Sequence, residues 1–355
     1  MGPRHISRRR VVKRAASALA LAALPRQFIS SSASAAEALE EKSIEIAAVR
    51  DPQLGAQIAI ANQYGYFKDE GLDATVHWNQ SGADVITEMA GGSQYIGTHG
   101  VFGAVVFGGQ DLPIKIITAL ADIAGTQGFV LSPGVKLANP RELEGKKLAF
   151  TEGNSQVLIL AKMAKMFNID TTKITMVNMN PAEGVVAASK SDVQGLLGWQ
   201  PNLYRLTQLG GTLYATGTTL YVSGRPEPLP MSDQLQYNHS VLMAAKSWID
   251  GKPNTLRAVL RAVRTATALL ASDRPKALAA MQQQLRIDPD ALTVMADANK
   301  YAMDITDAVA ASLKFQSDWA LEIKRIPKPV TPEEVFAPQL LREIDPHLVT
   351  WTPRT

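Results

Sequence analysis

The residues of this 355-residue chain best suited to chemistry fall in short turns that precede helices. Thr151 to Ser155 holds Gly153, Asn154 and Ser155, and from Gln156 the apolar residues Val157, Leu160, Ala161 and Ala164 recur at helical spacing. A helix starting there points its unpaired N–H groups and the positive end of its dipole at the turn, a natural seat for an acceptor-rich, negative group. Gly153 lets backbone approach a ligand, and Asn154 and Ser155 add donors; the same two side chains can instead cap their own helix. Thr98 and His99 stand before a second helix. Arg50 and Gln53, in the turn from Arg50 to Leu54, and Ser81, in the turn Gln80-Ser81, add further candidates, as do Trp199-Gln200 and His239. Arg50 suits a carboxylate or sulfonate held bidentately, or pairs with Asp51 or Asp73. Trp199 offers a flat apolar wall, or is plain core.

Other chemistries are poorly supplied. The chain has no cysteine, which removes disulfides, cysteine–zinc sites, a thiol nucleophile and a lipid-anchor cysteine. Asp233 and the other acids do not group with any of the five histidines at metal-ligand spacing, so neither metal nor cofactor is expected. Turn positions supply no Ser–His–Asp set without arbitrary choices.

The elements that position these turns alternate. Strands are expected over 44–49, 74–78, 95–97 and 114–119, with helices at Ala56 to Tyr64, at Asp84 to Ala90 and from Val101. Gly65 closes the first helix where a left-handed residue is wanted. The pattern restarts with strands at 129–131, 148–150, 174–177 and 192–197. Asn180-Pro181-Ala182-Glu183 reads as a capped helix start. Thr98-His99-Gly100 and Gly198-Trp199-Gln200-Pro201 are read as turns. Alternation of this kind predicts two α/β units with largely parallel sheets. After a strand from Val241 to Ala245 the chain is helical, with one stripe through Leu256, Val259, Leu260, Val263, Thr267 and Leu270, and another through Ile305, Val309, Leu313, Gln316, Ala320 and Ile323. These helices are expected to pack back on the first unit.

The net charge of +3 misleads. Residues 1–35 hold seven basic residues and no acid, so 36 minus seven leaves 29 basic against 33 acidic residues, a net of −4. That balance offers nucleic acid no footprint. Ser7-Arg8-Arg9-Arg10, the apolar run from Ala15 to Leu24 and Ala33-Ser34-Ala35 together read as an export signal, resembling the twin-arginine type with ordinary secretion as the alternative, cut near Ala36.

The stretch Tyr64-Gly65-Tyr66-Phe67-Lys68-Asp69-Glu70-Gly71-Leu72-Asp73, with Ser81-Gly82-Ala83-Asp84, Glu144-Gly145-Lys146-Lys147-Leu148 and Trp199-Gln200-Pro201, resembles the solute-binding proteins of ABC importers of the nitrate, sulfonate and taurine type. The resemblance covers the whole mature chain. It implies a type II periplasmic-binding-protein fold, two α/β lobes joined by two crossover strands, with ligand between turns from both lobes. The implied division is signal 1–35, lobe one 36–128, lobe two 129–239 and a return to lobe one over 240–355. The function implied is a monomeric periplasmic receptor that passes a small organic anion, a sulfonate or carboxylate, to a membrane permease. The rivals are an enzyme on the same fold, by sulfinate- or pyrimidine-type chemistry that uses cysteines absent here, and a sensor for a membrane kinase.

Overall fold

The computed structural model describes residues 38–353 apart from Gly153. The expected leader, its Ala33-Ser34-Ala35 cleavage site and Ala36 lie outside the described residues, and so does Gly153.

Two sheets carry the fold. The strands are β1 (Ser43–Val49), β2 (Asp73–Asn79), β3 (Ile96–Gly100), β4 (Ile114–Asp122), β5 (Gln127–Leu131), β6 (Lys147–Phe150), β7 (Thr175–Asn178), β8 (Gly195–Trp199), β9 (Thr212–Thr216), β10 (Thr219–Leu220), β11 (Glu227–Pro228), β12 (His239–Ala245) and β13 (Lys300–Tyr301). The first sheet runs β13-β4-β12-β3-β1-β2 and the second β11-β10-β9-β5-β8-β6-β7. β1 pairs in parallel with β2 and β3, and β6 in parallel with β7 and β8. The two strands that follow the passages between sheets break this pattern. β5 lies antiparallel to β8, and β12 lies antiparallel between β3 and β4. A fully buried parallel strand needs apolar side chains on both faces. In β1 that is met by Ile44, Ile46, Ala47, Ala48 and Val49, all at most 1% exposed.

The main helices are α1 (Ala56–Tyr64), α2 (Tyr66–Asp69), α3 (Gly82–Ala90), α4 (Val101–Gly109), α5 (Val157–Phe167), α6 (Pro181–Ser189), α7 (Asn202–Gln208), α8 (Lys246–Gly251), α9 (Pro253–Ser272), α10 (Arg274–Leu285), α11 (Pro289–Asp297) and α12 (Asp307–Glu322). Gly65 ends α1 at φ 75°, a left-handed position that favours glycine. Asn180 and Glu183 cap α6 reciprocally, with Pro181 at its first position. The stripe Leu256, Val259, Leu260 and Val263 of α9 is buried in the same core as α1 and the first sheet, while Thr267 is half-buried. In the last stripe, Val309, Leu313, Gln316 and Ala320 are buried and Ile323 is exposed.

Two readings of local structure are corrected. Thr98 and His99 lie inside β3, not in a turn, because β12 pairs along its whole length and extends it to Gly100. Trp199 is likewise the last residue of β8, held opposite Gln127 of β5.

The two sheets are linked side chain to backbone. The Gln53 amide donates to the Gln200 carbonyl at 3.1 Å, and its oxygen accepts from the Thr126 hydroxyl. The Gln316 amide of α12 donates to the Tyr237 carbonyl at 2.8 Å. Farther out, Lys165 of α5 faces Glu322 of α12 at 3.9 Å, and the Lys162 ammonium lies 5.2 Å from the centre of the Phe315 ring.

Candidate functional site

Where the ends of β1, β3, β5 and β8 meet, a cavity opens between the two sheets. Its wall includes Asp51, Gln53, His99, Phe102, Gln127, Asn154, Ser155, Gln156, Trp199 and Asn238. The space open to the centre of a water molecule is about 30 Å³. That is room for about two ordered waters, or for a solute of few heavy atoms held closely.

Two helices begin on this wall with no cap from their own N-cap residue, α4 after Gly100 and α5 after Gln156. The helix starts of α3, α6, α10 and α11 are capped by Ser81, Asn180, Asp273 and Asp288, while α2, α7, α8, α9 and α12 lack a side-chain cap as well. A helix start beside a cavity favours an acceptor-rich group, and part of each first turn is already satisfied: Leu158 and Ile159 donate to the Ser155 and Gln156 carbonyls at 3.0 Å, and the Gly103 N–H meets His99 Nδ1 at 3.2 Å. Neither Asn154 nor Ser155 caps α5. The Asn154 amide bonds back to the Glu152 carbonyl at 3.4 Å, and Ser155 accepts at 2.9 Å from Gln236. Gln236, fully buried, also donates to Gln127 at 2.7 Å, so one amide ties the start of β5 to the start of α5.

His99 is wedged between two glycines. A Cβ at Gly82 or Gly103 would collide with the imidazole, which explains why both positions lack one. The ring Nδ1 lies 2.8 Å from the Gly100 carbonyl and 3.2 Å from the Gly103 N–H. Nδ1 donates to the Gly100 carbonyl in one tautomer and accepts the Gly103 N–H in the other, while Nε2 packs against Gly82. Burial pulls its pKa below the ordinary value, so the ring is neutral.

Asp51 is the other ionisable group on the wall and is 2% exposed. Its Oδ1 accepts the N–H groups of Gln53 at 2.9 Å and Leu54 at 2.8 Å, closing the turn before α1. Its Oδ2 has no partner among the described residues, and the same holds for His99 Nε2 and Asn238 Oδ1. Burial, only partly offset by the two N–H bonds, pushes the Asp51 carboxyl up to about 6.

Five expected residues therefore meet at one cavity: Gln53, His99, Asn154, Ser155 and Trp199. Five others do not line it. Arg50 lines an outer groove of about 620 Å³ with Ser81, Arg205 and Arg286, against which Asp51 and Trp199 also abut. Its guanidinium donates to the Gln284 carbonyl at 3.0 Å and lies over Trp78, so it pairs with neither Asp51 nor Asp73. Ser81 is committed to a capping box with Asp84. The Gln200 side chain accepts from the Tyr204 N–H at 3.0 Å, leaving its backbone carbonyl to Gln53. Thr98 is enclosed within β3. His239 does not line the cavity; it meets the Ser312 hydroxyl at 2.7 Å, near Asp122 and Lys300. The sequence reading missed Asp51, Gln127, Gln156 and Asn238 as wall residues. Asp51 sat in a nominated turn, and Asn238 at the expected return crossover; their types alone did not mark them.

Comparison with known proteins decides the family. The profile of the family described as "NMT1/THI5 like" matches residues 55–277. The chain belongs to that family. A curated relative, the taurine-binding periplasmic protein of Escherichia coli (strain K12), is 25% identical over 150 residues, 42% of this chain. That match spans 46% of the relative's own length. Among solved structures, the periplasmic aliphatic sulphonate binding protein SsuA from Escherichia coli superposes with a TM-score of 0.70 at 16% identity, covering 84% of this chain and 93% of that one. The alkanesulfonate-binding protein SsuA from Xanthomonas axonopodis pv. citri, bound to MOPS, gives 0.70 at 16% identity, covering 84% and 99%. The fold of this NMT1/THI5-like chain is thus the two-lobed α/β fold of periplasmic binding proteins, as the resemblance implied.

Proposed function

We propose that this chain is the solute-binding receptor of an ABC importer, and that it holds a small solute with an acidic group in the cavity between its lobes. One observation carries the reading: a cavity built from both sheets, bordered by the starts of α4 and α5 and by the buried polar residues Asp51, Gln53, His99, Gln127 and Asn238. Buried polar groups normally find partners, so an unpaired set around a cavity marks a place where a ligand supplies them. The ligand sites are Gln53, His99, Asn154, Ser155 and Trp199, with Asp51, Gln127, Gln156 and Asn238. Lobe one comprises 36–128 and 240–355, and lobe two 129–239. The names of the relatives, for taurine and for aliphatic sulphonates, support an acidic head group.

The receptor works as a monomer in the periplasm, exported by residues 1–35 and released near Ala36, with an inner-membrane permease as its partner and no nucleic acid. Among the described residues no helix is long and apolar enough to cross a membrane. Binding rather than turnover is the reading, since the chain carries no cysteine for the nucleophilic chemistry of the rival enzymes.

A thermal-shift screen against sulfonates, carboxylates, nitrate and amino acids tests the assignment. A true ligand at a hundred times its dissociation constant adds about 2.7 kcal/mol of stability. For a chain of this size that is a rise of roughly 5 °C. Absence of a shift with every class, in protein freed of any co-purified solute, would contradict it.

A further inference from the structure

The outer groove carries an inference that goes beyond the solute cavity. We propose that it is a second anion seat, built for a phosphate-type dianion: the phosphoryl group of an extended solute, or free phosphate. The groove holds about 620 Å³ and has three guanidinium side chains on its wall, those of Arg50, Arg205 and Arg286. Arg50 follows Val49, and Arg286 stands between Leu285 and Ile287, all three buried in the core of the first sheet. Arg205 stands on α7 between Leu203 and Leu206, which are buried against the second. The positive charge therefore comes from both sides of the groove, and a dianion set between them bridges the two.

These arginines lack the neutralisation found elsewhere on the surface. Arg257 pairs with Glu343 at 2.6 Å, Arg261 with Glu70 at 2.6 Å and Arg264 with Asp345 at 3.0 Å. Arg50, Arg205 and Arg286 have no ion pair among the described residues. Two carboxylates share the groove, and both are committed. Asp84 accepts the Ser81 N–H and hydroxyl, each at 3.0 Å, and Asp51 accepts the N–H groups of its own turn. The excess of positive charge lies in a concave space, where the field is focused rather than spread. Arg50 feels it: burial and the charge of Arg286 both hold its guanidinium below the usual range. It spends one N–H group on the Gln284 carbonyl, which leaves the rest of its fork to a ligand. Guanidinium forks match the oxygens of a phosphoryl group, which carries about −1.5 to −2 charge at neutral pH. A singly charged sulfonate or sulfate ester answers less of the same excess. Trp199 borders the groove and offers an apolar surface to the body of an ester.

Calorimetric titration of the full-length protein, dialysed free of phosphate and held near neutral to mildly alkaline pH, tests the proposal. The matched probes are phenyl phosphate, a dianion under these conditions, and phenyl sulfate, a monoanion of the same shape. Phenyl phosphate is expected to bind at least about tenfold tighter. Inorganic phosphate, titrated alongside, separates the sources. Binding as tight as the ester's assigns the seat to free phosphate, and weaker binding assigns it to the phosphoryl group of a solute. Arg205 and Arg286 are exposed, so Arg205→Gln with Arg286→Gln is expected to leave the melting temperature unchanged. The double variant should shrink the ratio between the two esters to less than about threefold, whereas Arg342→Gln, which removes a charge outside the groove, keeps it. Equal or tighter binding of phenyl sulfate to the wild-type protein overturns the proposal and needs no variant that folds. An unchanged ratio in the double variant overturns it too, as does a wild-type protein that binds neither phenyl phosphate nor inorganic phosphate. None of these results touches the receptor reading, which stands or falls on the thermal-shift screen of the cavity's own candidates.

Discussion

Replacing Asp51 with asparagine will make the ligand-free protein more stable at neutral pH, even as it loses its solute. The sign follows from proton linkage. In the unfolded chain Asp51 ionises at its ordinary value of 3.8, whereas in the fold it is pushed up to about 6. Between those values the folded protein binds the extra proton, so stability falls as pH rises from about 4 to about 6 and stays lower above that. Two pKa units correspond to about 3 kcal/mol. Asparagine removes the titration but accepts the two turn N–H bonds less strongly, which leaves a gain of roughly 2 kcal/mol, or about 4 °C in melting temperature. The neighbouring groups leave this sign intact. His99 is held neutral, Arg50 faces outward, and Tyr301, which reaches this turn by donating to the Pro52 carbonyl at 2.8 Å, is held protonated by burial. Melting curves of both proteins from pH 4 to pH 8 check it. The curves should converge near pH 4 and separate above pH 6. A variant less stable at pH 7.5 would show that ionised Asp51 holds the turn together rather than waiting for a ligand.

Trp199→Ala will cost both folding and binding, and a conservative partner separates the two. Trp199 is 7% exposed, closes β8, and borders both the cavity and the outer groove. Truncating a buried tryptophan typically costs about 3–5 kcal/mol; because one face already borders open space, the lower end applies here. Trp199→Phe keeps an aromatic wall and should lose less than about 1.5 kcal/mol of stability. It shortens the surface offered to the solute, so affinity should still fall by roughly tenfold, about 1.4 kcal/mol. Denaturant melts beside calorimetry report both quantities. Unchanged affinity in Trp199→Phe would make Trp199 core alone.

Much of the fold was legible because its signals are local. The start and end of α1 with Gly65, the Asn180–Glu183 cap and the apolar stripe of α9 need only a few neighbouring residues to declare themselves. The misread turn at Thr98-His99 had no local strand signal. Ile-Gly-Thr-His-Gly becomes a strand because β12, well over a hundred residues later in the chain, slots beside it. The candidate site was half legible for the same reason. Turns before helices could be nominated from spacing, but the direction of each side chain was fixed from afar. Arg50 is turned away by a carbonyl at Gln284, 234 residues distant, and Asn238 reaches the cavity wall only by way of the return crossover. That one oxygen of Asp51 is left unpaired is a fact of packing, which the residue type does not announce.

The central claim is that solute is held between two lobes that close on it, and one distance tests it most directly. The chain has no cysteine, so Lys165→Cys with Glu322→Cys places spin labels only on α5 and α12, where the native pair stands 3.9 Å apart across the cleft. Both side chains are exposed, and neither lines the cavity. The distance between the labels is to be measured by pulsed electron paramagnetic resonance, in protein freed of solute and again with 2-aminoethanesulfonate or the strongest hit of the thermal screen at saturation. The account predicts a longer, broader distribution without solute that collapses to a short, narrow one with it. An identical distribution in both states, with binding confirmed by calorimetry on the same sample, would contradict it.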